Sequence, residues 1–205
     1  GGHEKCLINF LKKRISKFDI FFDIGANSGT LSLPFIFEDK LDILCFEPLT
    51  YSYDKLKENF EINNAPDRHK LFKIALSNKK GMSKIYFSKT NENTGFASID
   101  NFFKHQNMSI EEIKLNTVDE LFKIKNKKIF FKIDVEGHEK KVIEGALETL
   151  QNNKVLMYIE SRDKSVIENL KEKGFKETYF TFKGDKIKFL ENKQTQDVLM
   201  SNFMI

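Results

Sequence analysis

The chain has 205 residues, 40% of them hydrophobic, which suits one domain with a sizeable core. Its 34 basic and 30 acidic residues leave a net charge of +4, with lysines spread along the chain, so no concentrated basic face for nucleic acid stands out. The two cysteines, Cys6 and Cys45, form no C-x-x-C motif for zinc or redox work, and Cys45 reads as a buried thiol.

No apolar run approaches the ~18 residues of a membrane span, and no signal peptide opens the chain. A cytoplasmic protein is the expectation. The opening Gly1-Gly2-His3 lacks a methionine and is set aside as an added or truncated end. The 21 phenylalanines and absent tryptophan are read in part as a base-composition bias of the gene.

Residues 1–18 are expected to form a helical extension, 19–190 the main domain and 191–205 a tail with weak signals. From Asp19 onward, short apolar runs alternate with longer amphipathic ones, the pattern of a parallel sheet covered by helices. Asp19 to Ile24 reads as the first buried strand. Leu31 to Glu38 reads as a helix troubled by Pro34, which should kink or restart it. Asp42 to Phe46 is a second strand, and Thr50 to Asn63 a helix that Thr50 can cap. Leu71 to Ala75 is a third strand. Ser83 to Ser88 looks like a hairpin-type strand, followed by a polar stretch from Lys89 to Met108. Ile113 to Thr117 and Ile129 to Val135 are further strands. After the latter, Val142, Ile143, Ala146, Leu147 and Leu150 fall on one helical face. Val155 to Glu160 is a strand, Asp163 to Lys173 a helix closed by Gly174, and Phe175 to Phe182 with Lys186 to Leu190 a closing hairpin.

Two turns carry chemistry. DIGANSG, Asp23 to Gly29, joins the first strand to the first expected helix, and Gly25 lets the backbone turn tightly and approach a ligand. Its G-x-x-x-G spacing departs from the G-x-G-x-x-G of dinucleotide cradles, which argues against an NAD-dependent oxidoreductase. It resembles the D-x-G-x-x-x-G turn of class I S-adenosylmethionine-dependent methyltransferases, whose ligand is cationic and suits an acid at the strand end. Glu47 comes about 20 residues later in FEP and can accept from both ribose hydroxyls, with Phe46 and Pro48 flanking an adenine.

These blocks, with KIALSNKKG, NTVDEL and KIDVEGHEKKVIEGA, resemble the FkbM-type methyltransferases over roughly Asp19 to Glu160. The resemblance implies a Rossmann-like class I fold: an α/β domain with a mostly parallel seven-stranded sheet, an antiparallel C-terminal hairpin and helices on both faces. It also implies O-methylation of a sugar, glycan precursor or small natural product with S-adenosyl-L-methionine. Asp23, Gly25, Ala26, Asn27 and Gly29 would hold the methionine part, Glu47 the ribose, and Ala75 to Ser77 would lie beside the adenine. Asp134 and Glu136 would stand at the reaction side.

Alternate residues of a strand share a side, so Lys132, Asp134 and Glu136 are expected to face one way, with Glu160 of the next strand nearby. A carboxylate within reach of the acceptor hydroxyl can take its proton. Asp134 is the first choice of base, then Glu136 and His138, and Asp134 also borders the cofactor. Clustered carboxylates can instead hold Mg²⁺ or Ca²⁺, which leaves metal use open. Mere positioning of cofactor or substrate is the remaining role for the acids. His138 can equally cap its helix or face solvent, and Glu139 to Lys141 read as a solvated helix face. Lys132, Glu160 and Thr94, the last in the polar stretch expected over the site, are candidate acceptor contacts. Lys132 can instead balance the acids structurally. A nucleic-acid methyltransferase usually carries an N/D-P-P-Y-type block, which Asp134-Val135-Glu136 is not, and a non-catalytic cofactor-binding module remains the reading from another class.

Overall fold

The first apolar run, IFFDI, is buried at all five positions, which requires cover on both faces of the sheet and a strand on each side. The computed structural model describes residues 2–88, 97–99, 108–161, 163–183, 186–190 and 197–203. In chain order the elements are α1 (Gly2–Lys12), β1 (Ile20–Ile24), β2 (Asp42–Phe46), α2 (Thr50–Ile62), β3 (Lys70–Phe72), β4 (Ala75–Leu76), β5 (Gly81–Ser88), β6 (Ala97–Ser98), β7 (Met108–Asn116), α3 (Val118–Leu121), β8 (Lys128–Ile133), α4 (Glu139–Glu144), α5 (Leu147–Gln151), β9 (Lys154–Glu160), α6 (Lys164–Glu172), β10 (Lys176–Lys183), β11 (Lys186–Leu190) and β12 (Asp197–Ser201).

The main sheet runs β11-β10-β12-β9-β8-β1-β2-β3. Its five strands from β9 to β3 are parallel, and β12, β10 and β11 pair antiparallel. This is the Rossmann-like architecture expected: seven strands up to β10, with β11 folding back as the outer arm of the hairpin. From β1 the chain moves outward to β2 and β3 and then returns to β8 on β1's other side. The reversal opens a crevice at the carboxyl ends of β1 and β8, where open α/β sheets bind ligands.

Alternation along the strands separates two cores. Phe22, Ile24, Phe131 and Ile133 face a layer containing Val142, Ile143, Val166 and Leu170. Phe21, Ile43, Cys45 and Phe130 face Leu7, Leu11, Phe35 and Leu56. The phenylalanines are used structurally. Phe72, Phe46, Phe22 and Phe131 stack in a row across β3, β2, β1 and β8, with successive centroids 4.8, 6.0 and 4.6 Å apart. Phe122 closes the row edge-on against Phe72, Phe46 and Phe22.

Several elements differ from the sequence-based expectation. The helix expected over 31–38 is a single 3-10 turn, Leu33–Phe35, with Pro34 near its start. Proline lacks the N–H a longer helix needs, and Ser32, at the N-cap of the turn, is drawn down onto Asp23. The strand expected over 71–75 divides between two sheets: β3 ends at Phe72, and Ala75–Leu76 pairs with β7. The expected strands at Ser83 to Ser88 and Ile113 to Thr117 are present as β5 and β7, but with β4 and β6 they form a second sheet, β4-β7-β5-β6, which the sequence-based expectation does not contain. Thr50 does not cap α2. The carboxylate of Glu111, on β7, accepts from the Thr50 amide at 3.1 and 3.3 Å and from its hydroxyl, a cap supplied by a distant strand. In the segment of weak signals, β12 inserts between β9 and β10, so β10–β11 is not the last element of the sheet. Among the described residues, no helix is long and apolar enough to cross a membrane.

Phe22→Ala is expected to cost about 3–5 kcal/mol, because the row leaves no neighbour free to refill the space. Phe37→Ala, at a side chain 67% exposed, is expected to cost less than about 0.5 kcal/mol. Urea unfolding of the two variants beside the wild type checks both values.

Candidate functional site

Gly25 follows β1 directly, with φ +74°, and a Cβ there would lie 1.9 Å from the Asp134 carbonyl oxygen. Only glycine allows the first turn to press against the segment leaving β8. The turn is pinned further by the Gly25 and Ala26 amides, both donating to the Phe46 carbonyl. Asn27 comes next at φ +49° and donates its amide to Glu47 Oε2 at 2.9 Å. The Leu49 amide donates to Oε1 at 3.0 Å. One buried carboxylate thus joins the turn after β1 to the end of β2. Gly29, at φ +83°, would place a Cβ 2.7 Å from Leu56 Cδ1, and the turn rests on α2 there.

Asp23 is fully buried. Its Oδ2 accepts from the Ser32 hydroxyl. Its Oδ1 receives no hydrogen bond and lies 3.6 Å from the Lys132 ammonium. Lys132 Nζ also donates to the Gly25 carbonyl at 2.5 Å and faces Asp134 Oδ2 at 3.3 Å. Burial raises the Asp23 pKa against the opposing pull of Lys132 and Ser32. Burial alone would lower that of Lys132, but Asp134 and Asp23 override it and hold the ammonium strongly protonated. Burial also lifts Glu47 to about 7, against the two backbone amides that favour its charged form.

Beyond β8 the chain turns sharply. Glu136 takes φ +49° and Gly137 φ +99°. The turn is held by the Ser98 hydroxyl, which donates to the Glu136 carbonyl at 2.9 Å, and by the Gly137 amide, which donates to Glu139 Oε1 at 2.9 Å. Lys132 and Asp134 share a side as expected; the left-handed Glu136 leaves the strand direction but still borders the same cavity. Its volume is about 330 Å³, within the range of small-molecule sites. Asp23, Gly25, Ala26, Asn27, Glu47, Pro48, Ala75, Lys132, Asp134, Glu136, His138 and Glu160 all line it. Gly29 and Ser77 do not; Gly29 supports the turn from behind, and Ser77 stands behind Leu76. Thr94 lies outside the described residues.

Two expectations about the acid block change. His138 neither faces solvent nor makes a capping side-chain hydrogen bond; it is 3% exposed, with Nε2 3.0 Å from Ser77 Oγ. Glu139 is not on a solvated face: it is buried, and that burial raises its pKa despite the Gly137 amide. Among the described residues no group of three or more His, Cys, Asp or Glu side chains is arranged to hold a metal ion, although Asp134, Glu136 and Glu160 share one cavity.

Sequence reasoning missed Ser32 and Glu139, whose roles come from how the chain folds back on them: Ser32 donates to Asp23, and Glu139 accepts from the Gly137 amide and the Ser161 hydroxyl. It also missed the wall of Ile85, Ala97 and Ile99 that the second sheet contributes to the cavity. The apolar alternation of β5 carried part of that signal; the pairing with β7 that aims it did not show in any local pattern.

A family model described as the Methyltransferase FkbM domain matches residues 23–181. The hexuronic acid methyltransferase AglP of Haloferax volcanii is 28% identical over 150 residues, 73% of this chain. The chain spans 59% of that relative's length. Among solved structures, Sp1610 of Streptococcus pneumoniae, in complex with S-adenosyl-L-methionine, aligns with a TM-score of 0.53 at 11% identity, covering 95% of this chain and 71% of the other. An rRNA methylase from Streptococcus thermophilus aligns at 0.51 and 11%, covering 95% and 92%. These two likenesses are likenesses of fold.

Lys132→Met is expected to destabilise the protein by about 3–5 kcal/mol, because it leaves Asp23 buried beside no cation. Adding Asp23→Asn to it should recover part of the loss, which denaturant unfolding of single and double variants measures. Glu47 sets a pH dependence. Its folded pKa of about 7 lies above the ordinary 4.5, so between those values the native state holds a proton that the unfolded chain has released. Stability therefore falls as pH rises through that window, by on the order of 3 kcal/mol in all. Glu47→Gln should flatten that part of a stability–pH profile.

Proposed function

The chain belongs to the FkbM-domain methyltransferases, and from that premise we propose that it transfers a methyl group from S-adenosylmethionine to a hydroxyl of a sugar, glycan precursor or small natural product. The observation that carries this is the convergence, on one cavity, of the glycine turn, Glu47 and the Asp134–Glu136 turn. The residues present suit the cofactor. Gly25 closes the turn against the segment leaving β8, Asp23 places a buried acid behind that turn, Glu47 places an acid where ribose hydroxyls would be met, and Pro48 and Ala75 offer an apolar edge.

Bound S-adenosylmethionine supplies an electrophilic methyl group on a sulfonium sulfur. The Asp23–Asn27 turn, with Gly29 behind it, would hold the methionine part. Glu47 would accept from the ribose hydroxyls through the lone pairs that its two backbone amides leave free. Ala75, with Ser77 behind it, would flank the adenine. Asp134 is the base: its carboxylate is oriented by Lys132, and a third of its side chain remains exposed, so it can take the acceptor hydroxyl's proton as the oxygen attacks. Glu136 and Glu160 would orient the acceptor. The apolar wall of Ile85, Ala97 and Ile99 limits water, and holding the reacting groups in line supplies much of the acceleration.

The acceptor class draws on the name of the Haloferax relative, a hexuronic acid methyltransferase. The RNA methylase similar in fold shares 11% identity and brings no acceptor to this chain. The protein is taken to act on a small molecule or carbohydrate, not on nucleic acid, and to work in the cytoplasm.

Asp134→Asn tests the assignment. With neutral hexosides, hexuronides and polyhydroxylated macrolides as acceptors and S-adenosylhomocysteine release as readout, turnover should fall at least about 10²-fold while S-adenosylhomocysteine affinity stays within about tenfold. Unchanged turnover would remove Asp134 from the role of base.

A further inference from the structure

His138 is a buried imidazole for which the proposed chemistry has no use. Its surroundings give it another task. Its Nε2 lies 3.0 Å from Ser77 Oγ, and both residues are almost fully buried. Ser77 stands just beyond β4, whose Ala75 and Leu76 line the cavity from the second sheet. His138 is the N-cap residue of α4, directly after the Asp134–Gly137 turn at the end of β8 of the main sheet. The other end of α4 meets the same serine. Gly145, the C-cap residue, packs so closely that a Cβ on it would fall 1.9 Å from the Ser77 carbonyl oxygen. Both ends of one short helix thus bear on one residue. The Ser77 amide donates to the Asn116 carbonyl at 2.8 Å, which ties the clamped point to β7.

We propose that His138 is a positioning residue: through Ser77 it makes α4 a strut that fixes the β4 end of the cavity against the Asp134–Gly137 turn. The two walls come from different sheets, and the parallel ladder that joins the strands of the main sheet does not hold β4 in place. Two polar side chains removed from water hold each other; without His138, Ser77 Oγ keeps its longer hydrogen bond to Asn78 Oδ1 at 3.5 Å but loses its tie to the turn after β8, so the contact acts as a registry device between the sheets. His138 therefore acts on ligand binding through Ser77 and not as a proton acceptor.

The effect on the cofactor rests on the function proposed above; the strut itself does not, and two measurements separate them. The first is amide hydrogen exchange of the ligand-free protein. In His138→Ala, the Ser77 amide should exchange at least about tenfold faster, because the strand end it belongs to loosens. In His138→Gln, whose amide nitrogen can reach a similar position, exchange should return to within about threefold of wild type. Unchanged exchange at Ser77 in His138→Ala overturns the strut, whatever the protein binds.

The second is calorimetric titration with S-adenosylhomocysteine of the wild type, Ser77→Ala, His138→Ala and the double variant. Each single change should weaken binding by about tenfold, and the double variant should be no more than about threefold weaker than either single, since both remove one interaction. His138→Gln should bind within about threefold of wild type. Losses that multiply to about 100-fold in the double variant, or wild-type affinity in His138→Ala, overturn the coupling to the ligand. Loosened exchange in a protein that does not bind S-adenosylhomocysteine would uphold the strut and count against the cofactor.

Discussion

The site depends on a buried ammonium. Lys132 Nζ lies between the ends of β1 and β8 and meets the Gly25 carbonyl, Asp134 Oδ2 and Asp23 Oδ1. The Gly25 carbonyl and Asp134 Oδ2 lie within hydrogen-bond reach of the ammonium, and Asp23 Oδ1 stands at ion-pair distance. The consequences come from charge and distance. Asp23 can be buried beside the first turn because the cation lies 3.6 Å away. The Gly25 carbonyl is fixed, so the turn presents its free face to the cavity. Asp134 is held with one oxygen on the lysine and part of its side chain open. Because the acids keep Lys132 protonated, it is unsuited to act as a base, and the Gly25 carbonyl, Asp134 and Asp23 hold it inside the protein. Its candidate role as an acceptor contact therefore gives way, in our reading, to that of organiser.

Acids stand at the ends of such apolar strands for a physical reason. The strand interiors are buried on both faces and carry no polar side chain without a reason. At the carboxyl ends the main-chain ladder stops, backbone amides become available, and carboxylates can be held by them. Glu47 takes two such amides, from Asn27 and Leu49, and Glu139 takes that of Gly137. Each acid thereby shapes a turn as well as placing a charge. The cost appears in the raised pKa values of Asp23, Glu47 and Glu139, each set chiefly by burial. Groups of this kind cluster where ligands bind.

What the sequence made readable was whatever is local. The first buried strand, the G-x-x-x-G turn, the acid after β2 and the K-I-D-V-E-G block each announce themselves within a dozen residues, and the βα alternation orders them in space. What it concealed depends on distant partners. Leu71 to Ala75 looks like one strand because its apolar pattern is continuous; that Phe72 pairs with Phe46 and Ala75 with Leu115 shows only in three dimensions. Thr50 has the composition of a cap, yet Glu111 from β7 does the capping. Glu139 carries a charge in the first turn of a short helix, which reads as solvated until the fold buries it and brings Ser161, after β9, beside it. Leu199 and Met200 are fully buried in β12, but the segment is too short and too weakly flanked to be recognised as a strand between β9 and β10.

The central claim is that the turn after β1 and Glu47 form one site for S-adenosylmethionine. The most direct test is calorimetric titration of the protein with S-adenosylhomocysteine and, separately, with NAD. Micromolar binding of the first, none of the second, and loss of the first in Glu47→Ala are the predicted results. Absence of S-adenosylhomocysteine binding, or binding of NAD in its place, would contradict the account.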